Sequence, residues 1–560
     1  MSGRRVAWLG AVGVAQLAWG MFAAPPTMKV SEVPVGATGE WRTCVEGTVV
    51  TTFPMRVVGV MQNSIYPGEA VILCEALDAR NKHSGPVAGM SGSPVYVNGR
   101  IIGAYAYGPI FQRDQAHFMA TPIEVMLKMR QLPMGSWGGS GGGKRFGGGF
   151  GKMLAPLTIA GASQRAVAWL AEQLRPYDIM VVEGGNTGLT NIQADLIPGS
   201  PVAGVILHGD ISVAAVGTVT YREGDTILAF GHPFLQCGPI EMPMAVAEVL
   251  AVSHSFMRSY KMSNIGQIVG SIEQDRAPAV VGRIGRYART VDVRVRTTHP
   301  VFGEREYRSR GLRHERFTPM MIMFALIDPL EMALEASRVR TTRYEGRFRF
   351  ESGEEVAVTN VVDDEREGMA AVSLMRMVGK LLENEFAPLA LESVEVRFLF
   401  EERVERARVE RAWLERSEVR PGEELQVKIE IRPYQGEQRI ETVGLRVPED
   451  VRPGEYKVQI CDADRAEEGD RVREMKPRSL KGLFEVARRH RRRDWIYVQL
   501  VGRTSGLVVG SKVMEALPPS VMARWRDEAN ASVAEAVLAE VAVPVNGMVR
   551  GFHQLLFAVK

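Results

Sequence analysis

The stretch from Gly85 to Gly103 does most to limit what this chain can fold into. It reads Gly85-Pro86-Val87-Ala88-Gly89-Met90-Ser91-Gly92-Ser93-Pro94, then Val95-Tyr96-Val97-Asn98-Gly99-Arg100-Ile101-Ile102-Gly103. Asn98-Gly99 between two apolar runs is a strong short-range hairpin signal, because both residues accept the positive φ of a type I′ turn. Ser91 therefore stands on a tight loop just ahead of a rigid hairpin. Glycines at 89 and 92 let the backbone turn sharply and expose neighbouring N–H groups, the geometry an oxyanion hole requires. Taken alone, the same residues equally describe a Gly/Ser-rich turn joining two strands.

With 560 residues, the chain is too long for one core, and about two to four domains are expected. Its hydrophobic share of 46% and charged share of 24% are those of globular proteins. A formal charge of +3 over so many residues argues neither for nor against nucleic acid, and no nucleic-acid partner is expected. Arg4 and Arg5 ahead of the apolar run from Val6 to Ala24 read as an export signal ending in small residues, with an uncleaved anchor as the alternative. Beyond it no stretch is long and apolar enough to span a bilayer, so a periplasmic or extracellular location is expected. Export permits disulfides, and Cys44 with Cys74 is the favoured pair; Cys237 and Cys461 are free or paired with each other. No cysteine or histidine spacing suggests a metal, and no cofactor is implied.

Short β-rich runs fill the segment from Trp41 to Leu73, divided at Pro54 and at Pro67-Gly68. After the Ser91 hairpin, Thr121 reads as the N-cap of a helix with Pro122 in its first position. The glycine-rich connector at 135–152 lacks the Gly-Lys-Ser/Thr of a phosphate loop and reads as a linker. A helix near Ser163 to Leu174 leads to a second set of strands. Among these, Val216-Gly217-Thr218-Val219-Thr220-Tyr221 and Thr226-Ile227-Leu228-Ala229-Phe230 form a hairpin that delivers Gly231-His232-Pro233. A histidine at a strand end between glycine and proline sits on a stiff turn, where its ring can face a cleft. His83, His208 and His254 are isolated and read as surface or hydrogen-bonded residues, and the polar cluster from Ile272 to Arg276 reads as a structural ion pair. Further on, turn-then-strand units at Arg420-Pro421-Gly422 and Arg452-Pro453-Gly454 suggest a sandwich, and the basic run from Arg488 to Arg493 suggests a solvated helix end.

Gly89-Met90-Ser91-Gly92-Ser93-Pro94 with its hairpin resembles the serine signature of SpoIVB-type peptidases, the S55 family, and more remotely the nucleophile loop of chymotrypsin-like proteases. The Gly217-Thr218 strand and the Ala229-Phe230-Gly231-His232 strand end resemble that family's histidine segment. There the histidine precedes the serine, whereas here His232 follows Ser91, so the resemblance implies a circular permutation of the two halves. It implies Ser91 as nucleophile, His232 as general base, and the N–H groups of Gly89 and Ser91 as oxyanion donors. For the third member it points to an aspartate ahead of the serine, nearest to Asp78. Asp210 competes from just ahead of the histidine hairpin, while Asp225 reads as a turn residue.

The resulting expectation is a mainly β protein: a chymotrypsin-like double β-barrel peptidase domain, an immunoglobulin-like β-sandwich and α+β C-terminal elements. The divisions are a signal peptide at 1–24, a serine-bearing half at 41–134, the linker at 135–152, a histidine-bearing half at 153–300, an α+β region at 301–394, the sandwich at 395–470 and an α+β region at 471–560. The expected activity is exported serine endopeptidase action on protein or peptide substrates, the chain itself included. The alternative is a non-catalytic cell-envelope scaffold that binds a protein partner through its sandwich.

Overall fold

A computed structural model describes residues 24–560 apart from 64–67, 110–115, 133–149, 153–154, 178, 187–188, 255–258, 336–339, 364–368, 473–476, 478, 510–511, 515–516, 526–528 and 530. The expected signal peptide, save its last residue, and most of the glycine linker lie outside these residues. The chain is mainly β, as its alternating runs predict.

Six strands make the first barrel: β1 (Thr38–Cys44), β2 (Val50–Gln62), β3 (Ala70–Ala76), β4 (Pro94–Val97), β5 (Arg100–Pro109) and β6 (His117–Pro122). Strands β1, β2 and β3 pair in sequence, β3 then pairs β6, β6 pairs β5, β5 pairs β4, and β4 returns to β1. Alternation in β2 drives this closure, because Phe53, Met55 and Val57 point inward while Thr52, Pro54 and Arg56 face water. Trp41 fills the interior, stacked on Phe53 at 4.9 Å and edge-on to Tyr105 at 5.3 Å. The hairpin turn joining β4 to β5 has positive φ at both Asn98 and Gly99, as its sequence demands.

The second set comprises β7 (Pro201–Gly209), β8 (Ser212–Glu223), β9 (Thr226–Ala229), β10 (Gly238–Ser253), β11 (Ser259–Arg276) and β12 (Ala279–Ile284). Its pairings also close on themselves, running β7, β8, β9, β12, β11, β10 and back to β7. Both circuits thus follow one winding, in which the third strand pairs the sixth and the first pairs the fourth. An apolar cluster joins them, with Tyr96, Ile101, Ala104, Ile123 and Met126 from one side and Tyr221, Leu228, Ala279 and Val281 from the other.

Beyond the second circuit the sheet continues, because β7 also pairs β14 (Gly303–Leu312). From there the order is β13 (Thr290–His299), β17 (Leu391–Glu401), β15 (Thr341–Phe350) and β16 (Glu355–Asp363). Two helices, Phe317–Glu335 and Met369–Leu382, pack on this extension and share the second circuit's apolar core. A separate core lies between two further sheets. One carries Arg406–Leu414, Glu424–Pro433 and Arg439–Arg446, and the other Gly454–Cys461, Trp495–Val509 and Phe552–Val559.

The expected divisions at 300, 395 and 470 therefore do not separate structural units. Position 300 falls in the β13–β14 hairpin, 395 inside β17, and 470 inside the helix Ala463–Val472. The sandwich takes strands from both sides of 470, since Gly454–Cys461 pairs with Trp495–Val509 and Phe552–Val559. The basic run is likewise absorbed locally: Arg491 pairs Glu540, Arg492 pairs Asp494 and Arg493 pairs Asp464.

The predicted Cys44–Cys74 bridge is not formed, and all four cysteines are free. Register explains this. Cys44 lies opposite Val50 and Cys74 opposite Val57, seven residues apart on β2, a separation of about 20 Å at a strand's rise per residue.

Asp363, at the end of β16, joins the barrel unit to the sandwich. Its buried carboxylate meets Arg406 at 2.8 Å and Arg550 at 3.2 Å. Removing the buried carboxylate takes one shared acceptor from both of these partly exposed guanidiniums. Asp363→Ala should cost about 1–3 kcal/mol of stability, read as a lower urea midpoint relative to wild type. An unchanged midpoint would show that water already screens the cluster.

Candidate active site

Ser91 lies between the third and fourth strands of the first barrel, and His232 lies between the third and fourth strands of the second circuit. The shared winding brings these equivalent connections face to face. The serine turn is locked to the other half by backbone and threonine contacts. Thr218 donates its N–H to Ser91 O at 2.9 Å and its hydroxyl to Gly89 O at 3.0 Å, while Thr220 Oγ1 donates to Gly92 O at 2.6 Å. Within the turn, Met90 O accepts from Ser93 N and Ser93 Oγ, and Gly92 N donates to Tyr105 O. Met90 N goes to Val87 O at 3.1 Å. All four carbonyls from Gly89 to Gly92 are thus held, whereas the Gly89 and Ser91 N–H groups take no part in these bonds.

Gly89 and Gly92 have φ of +92° and +94°, so the turn uses the conformation only glycine enters freely. Space is equally restrictive: a Cβ on Gly92 would fall 2.0 Å from Thr218 O and 2.4 Å from Phe230 N.

The histidine turn is also fixed by both halves. Phe230 and Gly231 each have φ of +68°, an unusual conformation for a bulky side chain, stabilised here by full burial of the phenyl ring. Thr121 Oγ1 donates to Gly231 O at 2.6 Å across the junction. The helix Ile123–Lys128 is preceded by Pro122 at its cap position, so Thr121 is not the expected N-cap; its hydroxyl serves the histidine turn instead. His232 Nδ1 lies 2.8 Å from Pro233 O. A carbonyl only accepts, so Nδ1 carries a proton, which leaves the lone pair of the neutral ring on Nε2.

Ser91 is 0% exposed and His232 1% exposed. Ser91 Oγ makes no hydrogen bond, so no such bond joins it to His232 in this structure.

Neither aspartate expected from sequence is placed to orient the imidazole through a hydrogen bond seen here. Asp78 caps the helix Ala79–Ser84, its oxygens accepting from Asn81 N and Asn81 Nδ2, each at 2.8 Å. Asp210 accepts from Arg308 N at 2.7 Å at the exposed corner next to β14. Two other side chains prove closer to the site's construction. Asp275, buried near the end of β11, accepts from Phe234 N and Leu235 N at 2.6 Å each, and from Cys237 N at 3.4 Å. It clamps the segment that follows His232. Its sequence signal was its place in the polar cluster from Ile272 to Arg276, which local reading assigns to an ion pair.

Lys261, in β11, has no sequence signal at all. It is 0% exposed, and its Nζ donates to Thr43 Oγ1 at 2.8 Å and Thr218 Oγ1 at 3.4 Å. Burial pulls its pKa down to about 7, against a smaller opposing effect of Cys44. Among the described residues no three His, Cys, Asp or Glu side chains converge as a metal site.

No protein-family model, no curated protein and no solved structure matches the chain.

Gly92→Ala should abolish soluble folded protein or lower its melting temperature steeply. Gly99→Ala, at φ +73° in open space, should cost only about 1–2 kcal/mol. Comparable losses in the two variants would show that the junction relaxes.

The lysine makes a second prediction. Its folded value lies below its ordinary 10.5, so between about pH 7 and 10.5 the unfolded chain holds a proton that the folded chain has released. Stability of wild type relative to Lys261→Met should therefore rise with pH across that window, measured as the difference in unfolding midpoints. A flat difference would mean the ammonium is compensated.

Proposed function

We propose that this chain is an exported serine endopeptidase of the SpoIVB type, permuted so that the serine half comes first. One observation carries this reading. The serine and histidine turns occupy the same connection in two strand circuits of identical winding and meet at their junction, with the serine turn's carbonyls tied back. We read the two circuits as the halves of a chymotrypsin-like double β-barrel, and the sandwich as an immunoglobulin-like accessory domain suited to an envelope protein partner.

In this reading Ser91 Oγ attacks the scissile carbonyl of a protein substrate, and His232 Nε2 takes its proton and returns it to the leaving amine. The Gly89 and Ser91 N–H groups receive the oxyanion. Asp275 takes the place first expected for Asp78, because it secures the backbone that carries the imidazole. Since Ser91 and His232 are sealed, the junction has to open for a peptide to enter. No cofactor takes part in this chemistry. The N-terminal run from Val6 to Ala24 supports export to the periplasm or beyond.

A second reading, a non-catalytic envelope scaffold, is favoured by the lack of any hydrogen bond at Ser91 Oγ. A fluorophosphonate probe separates the two. The peptidase reading expects labelling at Ser91, lost in Ser91→Ala and reduced roughly a thousandfold or more in His232→Ala. Asp275→Asn should slow labelling while retaining the fold. No labelling of wild type across neutral and alkaline pH favours the scaffold, and full labelling of His232→Ala removes the histidine from the mechanism.

A further inference from the structure

Lys261 is a costly residue in its position. Among the described residues its ammonium has no carboxylate partner, and a buried cation without one is disfavoured by several kcal/mol or sheds its proton. A methionine of similar length would fill the same space more cheaply. What the amine does there follows from its contacts, one of which leads to the serine turn. Its stem lines the back of Gly89, with Cβ, Cγ and Cδ 3.2–3.4 Å from where a Cβ on that glycine would stand. Its Nζ reaches Thr43 Oγ1 in the first barrel and Thr218 Oγ1 in the second circuit. Thr218 in turn donates its hydroxyl to Gly89 O and its N–H to Ser91 O.

Each hydroxyl has one proton to give. With the Thr218 proton committed to Gly89 O, its oxygen is free to accept from Lys261. The relay therefore runs in one direction, from amine to hydroxyl to glycine carbonyl, and fixes that carbonyl in place.

We propose that Lys261 is a positioning residue for the oxyanion-binding turn, acting through Thr218 to hold the Gly89 and Ser91 N–H groups toward the developing charge, a role that rests on the reading of Ser91 as nucleophile. The amine does not touch the reacting atoms. It couples the two halves of the molecule at the point where the turn is braced. The titratable group acting on it is Cys44, at the end of β1, itself pushed up to about 11 by burial and so an uncharged thiol near neutrality. Protonation of Lys261 thus places a cation with no carboxylate partner among the described residues beside Thr43 and Thr218, at the head of the relay to Gly89.

The test measures the maximal rate constant and the half-saturating concentration of fluorophosphonate labelling at Ser91, per folded molecule, from acid to alkaline pH. Lys261→Met and Thr218→Val should lower the rate constant roughly tenfold to a hundredfold, somewhat less than loss of a whole oxyanion donor, with the half-saturating concentration unchanged. Thr218→Ser keeps the hydroxyl and should restore the rate. In wild type the rate should carry an ionisation that Lys261→Met lacks. A wild-type rate constant and pH profile in both Lys261→Met and Thr218→Val overturns the proposal, as does Thr218→Ser labelling as slowly as Thr218→Val. The threonine pair decides the matter if Lys261→Met fails to fold. Absence of labelling in wild type overturns the peptidase reading and this role with it, whereas normal wild-type labelling with unaffected variants overturns this role alone.

Discussion

The molecule turns on the contact between Gly92 and the backbone at Thr218 and Phe230. There is no room between these chains for a single carbon atom, so the two strand circuits meet main chain to main chain. Side-chain interfaces can slide by exchanging rotamers, but a backbone junction held by Thr218 N, Thr220 Oγ1 and Thr121 Oγ1 has essentially one geometry. The apolar cluster around Ile101, Met126 and Leu228 seals that geometry from water. It also makes the hydrogen bonds inside worth more than they would be in solvent.

Much of this was legible in the residues. Asn98-Gly99 announces its hairpin because two consecutive positive φ values are affordable to few dipeptides. Gly89, Gly92, Gly231 and His232 stand out because local sterics single out sharp turns. Residues whose purpose depends on distant strands were hidden. Asp275 faces Gly238 only after β10 and β11 have paired, and nothing in its neighbours foretells that the carboxylate will gather the N–H groups of Phe234 and Leu235. Thr121 looks like a helix cap by local rules, yet a carbonyl more than a hundred residues away in sequence takes its hydroxyl. Cys44 and Cys74 flank neighbouring strands in the sequence, but register sets them far apart.

Domain boundaries failed for a related reason. The division expected at 300 implies a new unit there, but β14 returns to pair with β7, so the second circuit grows outward into a large sheet that two helices cover. Similarly, the sandwich borrows its closing strands from the C-terminal end of the chain. Asp363, with Arg406 and Arg550, binds this arrangement at a place where charge is buried and geometry is consequently strict.

Because each circuit closes within its own stretch of sequence, the order of synthesis acquires meaning. The first barrel emerges complete while Thr218, Thr220 and Phe230 are still untranslated, roughly 130 residues separating Ser91 from Thr218. At about 5–20 residues per second that interval lasts on the order of 6–26 s. Throughout it the nascent serine loop has none of the threonines that later restrain its carbonyls. The hydroxyl is thus made early and disciplined late, and the ribosome's pace decides how long it remains unguarded.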